Sequence, residues 1–124
     1  MNEMKRLPDT EFEIMKEVWE NRPPITTNML MEGLGNEKGW KAPTLISFLN
    51  RLVKKGFLRT EKNGKERTYY PLIEKKDYLK FETKNFMENY HSNSFLSFVN
   101  TLYDGKNLTD EELQELIKLM EKKE

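Results

Sequence analysis

The chain has 124 residues, 21 Lys/Arg against 21 Asp/Glu, a single His and no Cys. That length suits one medium domain or two small lobes, and the absence of Cys excludes disulfides and thiolate metal sites. No apolar run is long enough to cross a bilayer or to form the middle of a signal peptide, so a cytoplasmic protein with no membrane partner is expected.

A helix is predicted over 9–20. Phe12, Met15, Val18 and Trp19 share one face at helical spacing. Thr10 and Glu13 have the spacing of a capping box, and Pro8 suits a helix start. The run Asn21-Arg22-Pro23-Pro24 ends it, because Pro cannot continue the backbone hydrogen bonding. A short second helix is expected near 27–34, capped by Thr26 or Thr27. Met29, Leu30 and Leu34 face the core, Gly33 and Gly35 help to stop the helix, and 35–39 form a turn. A third helix is expected near 43–55, with Pro43 in its first turn. Leu45, Phe48, Leu49, Leu52 and Val53 make its buried stripe. The other face carries Thr44, Ile46, Ser47, Asn50, Arg51 and Lys54.

Strands are expected near 57–62 and 67–72, joined at Asn63-Gly64, a two-residue hairpin signal. Tyr69 and Tyr70 lie on the returning strand, one of them on the core. Beyond Pro71 the pattern becomes helical: near 74–90 with Leu79, Phe86, Met87 and Tyr90, near 95–103 with Phe95, Phe98, Val99 and Leu102, and a last helix with Leu113, Leu116, Ile117 and Met120. Ser92-Asn93-Ser94 breaks the first of these and can cap the second. Thr109 to Glu112 reads as a capping box with acids at the positive helix end.

Net charge is zero, but the distribution is uneven. Residues 38–67 hold nine basic side chains against Glu61 and Glu66, a net of +7. Binding depends on that local field rather than on the sum over the chain. A helix with short polar side chains near its N-terminus, backed by a basic hairpin, is the layout of a winged helix-turn-helix. Thr44 and Ser47 stand where base edges in a major groove can be reached. Lys41, Arg51, Lys54, Lys55, Arg59, Lys62, Lys65 and Arg67 are candidates for phosphate contacts. Arg51 has a competing role as a structural ion-pair partner.

The fold expected is therefore mainly α with a small β-hairpin wing: a winged-helix DNA-binding domain over 1–73 and a helical lobe over 74–124. A lobe of about 50 residues rarely buries enough apolar surface alone, so a second copy is the expected partner, the alternative being that the lobe folds back on the N-terminal one. Catalysis finds little support. His91 is read as a surface or cap residue, the acids of the last helix as a solvated face, and no Gly-rich phosphate loop follows a strand. No enzyme, metal or cofactor is expected.

The stretch Thr44 to Leu58, followed by Asn63-Gly64 and Tyr70-Pro71-Leu72, resembles the BlaI/MecI/CopY family of bacterial repressors. Leu7 to Trp19 also matches, through Glu11, Met15 and Trp19. The resemblance implies a homodimer that occupies a palindromic double-stranded operator and represses transcription of genes for β-lactam resistance or copper handling. It implies that the C-terminal helices dimerise through Leu79, Phe86, Phe95, Phe98, Val99, Leu102, Leu113, Leu116, Ile117 and Met120. Pro43 and Ile46 stand where polar or basic residues are common in the family. Ile46 can touch a thymine methyl, which implies a different operator preference. The Cys cluster of copper-sensing members is absent. The β-lactam branch implies a regulatory protease, commonly acting at an Asn-Phe bond, but the corresponding region reads Val99-Asn100-Thr101-Leu102. The competing function is a winged helix that uses the same face, with its exposed Ile46, for protein contact.

Overall fold

A computed structural model describes residues 4–122. Two compact units emerge, with the boundary between Glu82 and Thr83.

In the first unit, helix α1 spans Asp9–Glu20. Pro8 is its N-cap residue and no side chain caps it, so the expected Thr10–Glu13 capping box does not form. Thr10 already lies inside the helix, and Asp9 and Glu11 complement the helix dipole instead. Met15 and Val18 are buried as expected, with Phe12 and Trp19 packed against the core. Ile14 and Glu11 are buried as well.

A two-residue strand, β1 (Ile25–Thr26), precedes helix α2 (Thr27–Leu30). The Thr26 hydroxyl caps α2 by accepting from the Met29 N–H at 3.1 Å. The expected stop at Gly33 and Gly35 does not occur. The chain widens into a π-type turn over Met31–Gly35 and continues as α3 (Asn36–Lys38). Gly39 ends it, at φ 75°, a left-handed conformation that Gly adopts without steric cost.

Helix α4 covers Ala42–Lys54 with Pro43 in its first turn. Leu45, Leu49 and Leu52 are fully buried, while Phe48 and Val53 pack at the margin of the core. The sheet follows: β2 (Leu58–Asn63) and β3 (Glu66–Pro71) pair antiparallel, with Asn63 opposite Glu66. The hairpin loop is thus Gly64-Lys65 rather than Asn63-Gly64. Only Gly64 takes positive φ, at 65°, which fits a turn with Gly at its first central position. The strand order is β1-β3-β2, with Ile25 opposite Tyr69 and Thr26 opposite Thr68. Tyr69 is the tyrosine on the core; Tyr70 faces outward.

Helix α5 spans Lys75–His91. Its first turn drives Tyr78, 0% exposed, into the first unit, past the boundary expected at residue 73. The rings of Phe12, Trp19, Phe57 and Phe81 surround Tyr78 with centroids 5.5–6.1 Å away. Its hydroxyl accepts from the Leu7 N–H at 2.8 Å. Burial pushes this phenol up to about 12, opposed by the Leu7 N–H and aided by the negative charge of Glu82. Trp19 donates its indole N–H to the Ile73 carbonyl at 2.9 Å, tying α1 to the chain entering α5.

The second unit holds the end of α5, then α6 (Phe95–Asp104) and α7 (Asp110–Lys122). Ser94 caps α6 by accepting from the Ser97 N–H, and Thr109 and Glu112 form the expected reciprocal capping box. His91 is not a surface residue. It is 9% exposed, packs edge-to-face against the rings of both Phe86 and Phe98, and has its Nδ1 2.9 Å from the Ser97 hydroxyl. An aromatic environment with one polar partner suits an imidazole; nothing in the local sequence shows that the chain turns back over it. No described residue of α6 or α7 is buried. Phe86, Phe95, Leu96, Tyr103, Ile117, Leu119 and Met120 are all exposed.

Candidate nucleic-acid interface

Helix α4 owes its orientation to Leu45, Leu49 and Leu52, which recur at helical spacing and bind one face to the core. The opposite face is thereby turned out. Thr44, Ser47, Arg51 and Lys54 follow one another at spacings of three and four residues along it, and all four are exposed. Lys41 is exposed just before the helix, and Ile46 is 39% exposed beside Ser47. On the wing, Lys62, Lys65 and Arg67 are exposed, and Lys62 stands opposite Arg67 in the sheet register.

Not every basic residue of the cluster is free. The Lys55 ammonium lies 2.6 Å from a carboxylate oxygen of Glu11, whose side chain is 4% exposed. Arg59 pairs with Glu61 and lies over the Tyr70 ring, 4.1 Å from its centroid. Lys38 sits 2.9 Å from Glu13, whose hydrogen bond and charge raise the lysine above its ordinary pKa. Lys41, Arg51, Lys54, Lys62, Lys65 and Arg67 have no ion pair among the described residues. Arg51, the residue with two readings, therefore has no acidic partner; its guanidinium lies over the Phe48 ring instead.

One neighbourhood escaped the sequence reading. Thr27 and Asn28, at the start of α2, face Lys65, Glu66 and Arg67 of the wing across an open cleft of about 400 Å³. The pairing of β1 with β3 brings these segments together. A strand of two residues carries no periodicity, so only the Thr26 cap hinted at where α2 begins.

The surface so assembled can neutralise phosphates with six cations that have no ion pair among the described residues, and offer two hydroxyls and the apolar side chain of Ile46 to base edges. Among the described residues no three His, Asp or Glu side chains gather as metal ligands, and no helix is long and apolar enough to cross a membrane.

The penicillinase repressor family model matches residues 7–122. The chain is 31% identical over 121 residues to the penicillinase repressor of Bacillus licheniformis, covering 95% of this chain and 94% of that protein. It is 30% identical over 123 residues to the methicillin resistance regulatory protein MecI of Staphylococcus aureus strain N315, covering 98% of each. Among solved structures it is similar to the DNA-binding domain of the repressor BlaI, with 35% identity and a TM-score of 0.54 over 63% of this chain and 94% of that one. The Bacillus licheniformis BlaI monomer in complex with the blaP half-operator is similar at 35% identity and a TM-score of 0.51, over the same shares of the two chains. The chain belongs to the penicillinase repressor family.

Proposed function

We propose that the protein is a DNA-binding transcriptional repressor, without enzymatic activity, that occupies a two-fold symmetric operator as a homodimer. The observation that carries this is the exposed face of α4, with Thr44, Ser47, Arg51 and Lys54 in one row, together with the exposed wing cations Lys62, Lys65 and Arg67, which have no ion pair among the described residues. The complex of the related BlaI with its half-operator supports DNA as the partner. The kinship with a penicillinase repressor and MecI supports genes of β-lactam resistance as targets.

In this reading the first unit binds DNA and the second joins two copies. The support for dimerisation is the set of exposed apolar side chains on α6 and α7: Phe95, Leu96, Tyr103, Ile117, Leu119 and Met120. Leu96, Leu119, Tyr90 and Tyr103 join the interface expected from the sequence, because they are more than half exposed. Lys41, Arg51, Lys54, Lys62, Lys65 and Arg67 bind phosphates; Thr44, Ser47 and Ile46 read bases. Lys55 and Arg59 serve chiefly as braces, given their carboxylate partners. Release by a regulatory protease fits best at α6, where Asn100 and Thr101 are exposed. Repression is steric and includes no chemical step.

Residue variants test the assignment. Lys62→Ala and Arg67→Ala are expected to weaken binding to all duplexes and to flatten its salt dependence, the mark of a lost phosphate contact. Thr44→Ala and Ser47→Ala are expected to relax sequence preference, costing about 1–3 kcal/mol on the preferred site where a good base contact is lost. Wing variants that alter preference without altering affinity would refute the phosphate role. The protein-contact reading rests on Ile46 alone, and the unpaired cations around it favour DNA.

A further inference from the structure

Arg51 lies on the same face as Thr44 and Ser47, seven and four residues further along α4. A long arginine side chain on a helix surface has many rotamers, and freezing them opposes any contact it makes. Arg51 is not left to wander. Its guanidinium carbon lies 5.4 Å from the centroid of the Phe48 ring, within the range of a cation–π contact. Phe48 is itself braced. The Trp40 ring packs on it with centroids 5.3 Å apart and planes inclined at 43°. The Trp40 backbone is anchored in turn, its N–H donating to the Gly35 carbonyl at 2.9 Å. The order is thus a tethered indole, a half-buried phenyl ring, then an exposed guanidinium with no carboxylate partner among the described residues.

We propose that Trp40 and Phe48 form a positioning platform for Arg51, holding its guanidinium ready for a DNA phosphate beside α4. A guanidinium lying over a ring keeps its N–H donors at its edge, so the contact that orders the side chain leaves its phosphate-binding donors available. An aliphatic residue at 48 would fill the same margin of the core but would offer the cation no ring quadrupole. Phe48 is thus a positioning residue that acts through Arg51. The inference rests on the DNA-binding reading above.

Fluorescence anisotropy over a KCl series tests it, using a duplex from the promoter upstream of the protein's own gene and a scrambled duplex of the same composition. Phe48→Leu is expected to weaken binding to both duplexes by about two- to fivefold, the worth of an exposed cation–π contact. It is also expected to make the log–log salt slope shallower by up to about 0.9 per protomer, one phosphate contact. Phe48→Tyr, which keeps a ring, is expected to match the unsubstituted protein, and Phe48→Leu is expected to add nothing in an Arg51→Ala background. The inference is overturned if Leu and Tyr at 48 weaken binding equally, if the salt slope is unchanged in Phe48→Leu, if Arg51→Ala has no effect, or if Phe48→Leu weakens the Arg51→Ala protein as much as the parent. Arg67→Ala serves as the reference. Weakening there without weakening in Phe48→Leu removes only the platform. No binding of the unsubstituted protein to either duplex at any salt concentration removes the DNA reading and the platform with it.

Discussion

The two units of this chain bury apolar surface in opposite ways. The first closes a core of thirteen hydrophobic side chains among the described residues, Tyr78 included, twelve of them no more than 1% exposed. The second has equally regular helices and well-formed caps, yet no residue of α6 or α7 among those described is buried: Phe98, Val99, Leu102, Leu113 and Leu116 are half-buried, and Phe95, Leu96, Tyr103, Ile117, Leu119 and Met120 are exposed. Good local signals are thus compatible with a fold that is closed and with one that is left open. Packing, not helix propensity, supplies most helical stability in proteins. In the proposed homodimer the first unit is expected to keep its stability on dilution, whereas the second is expected to depend on its partner and hence on concentration.

Substitutions that act on one unit sharpen this contrast. The largest effect is expected from Tyr78→Ala, which removes the ring that four other aromatics enclose. Large-to-small replacement of a buried aromatic costs about 3–5 kcal/mol, visible as a lower urea midpoint for the first unit. Next is Ile117→Asp, which places a charge on the open face of α7. It is expected to weaken dimerisation by about 3 kcal/mol, roughly a hundredfold in dissociation constant. Light scattering after size exclusion reads the monomer, and the unfolding of the first unit should stay unchanged. A loss of both together would dissolve the contrast. Lys55→Met follows, expected to cost about 2 kcal/mol, because it leaves the buried Glu11 carboxylate without its partner. An unaltered midpoint would show that Glu11 finds another donor.

The smallest expected effect is on pH dependence. The fold favours the neutral phenol of Tyr78, raising it from about 10 to about 12, and burial raises Tyr69 in the same direction. That contribution is complete below the ordinary tyrosine value of about 10 and is lost as pH climbs through about 12. Urea midpoints should fall over that window, and by less in Tyr78→Phe. Equal falls in the two proteins would remove Tyr78 from the explanation.

The elements with local signatures were legible in the sequence: the spans of α1 and α4, the Ser94 cap and the Thr109–Glu112 box fall where periodicity and capping chemistry put them, and the wing strands fall within a residue, although α1 lacks its Thr10–Glu13 box and the turn sits at Gly64-Lys65. What depends on distant partners was not. The strand β1 exists only because Ile25 and Thr26 find the free edge of β3. The helix runs on through Gly33 and Gly35 because a π-type turn absorbs them. Tyr78 belongs to the first unit, and His91 is buried, for reasons of tertiary contact that no spacing encodes. The same limit applied to the interface. The exposed row on α4 followed from the buried stripe, but the pairing of Lys55 with Glu11, 44 residues apart, and the nearness of Thr27 to Arg67 required the fold.

The most direct test of operator recognition is the anisotropy of the full chain with a duplex from the promoter of its own gene and a scrambled duplex, at low and high salt. Sequence-specific repression predicts tight binding to the promoter, weaker binding to the scrambled duplex, and a steep fall of both with salt. Equal binding to the two duplexes, or binding to neither, would contradict it.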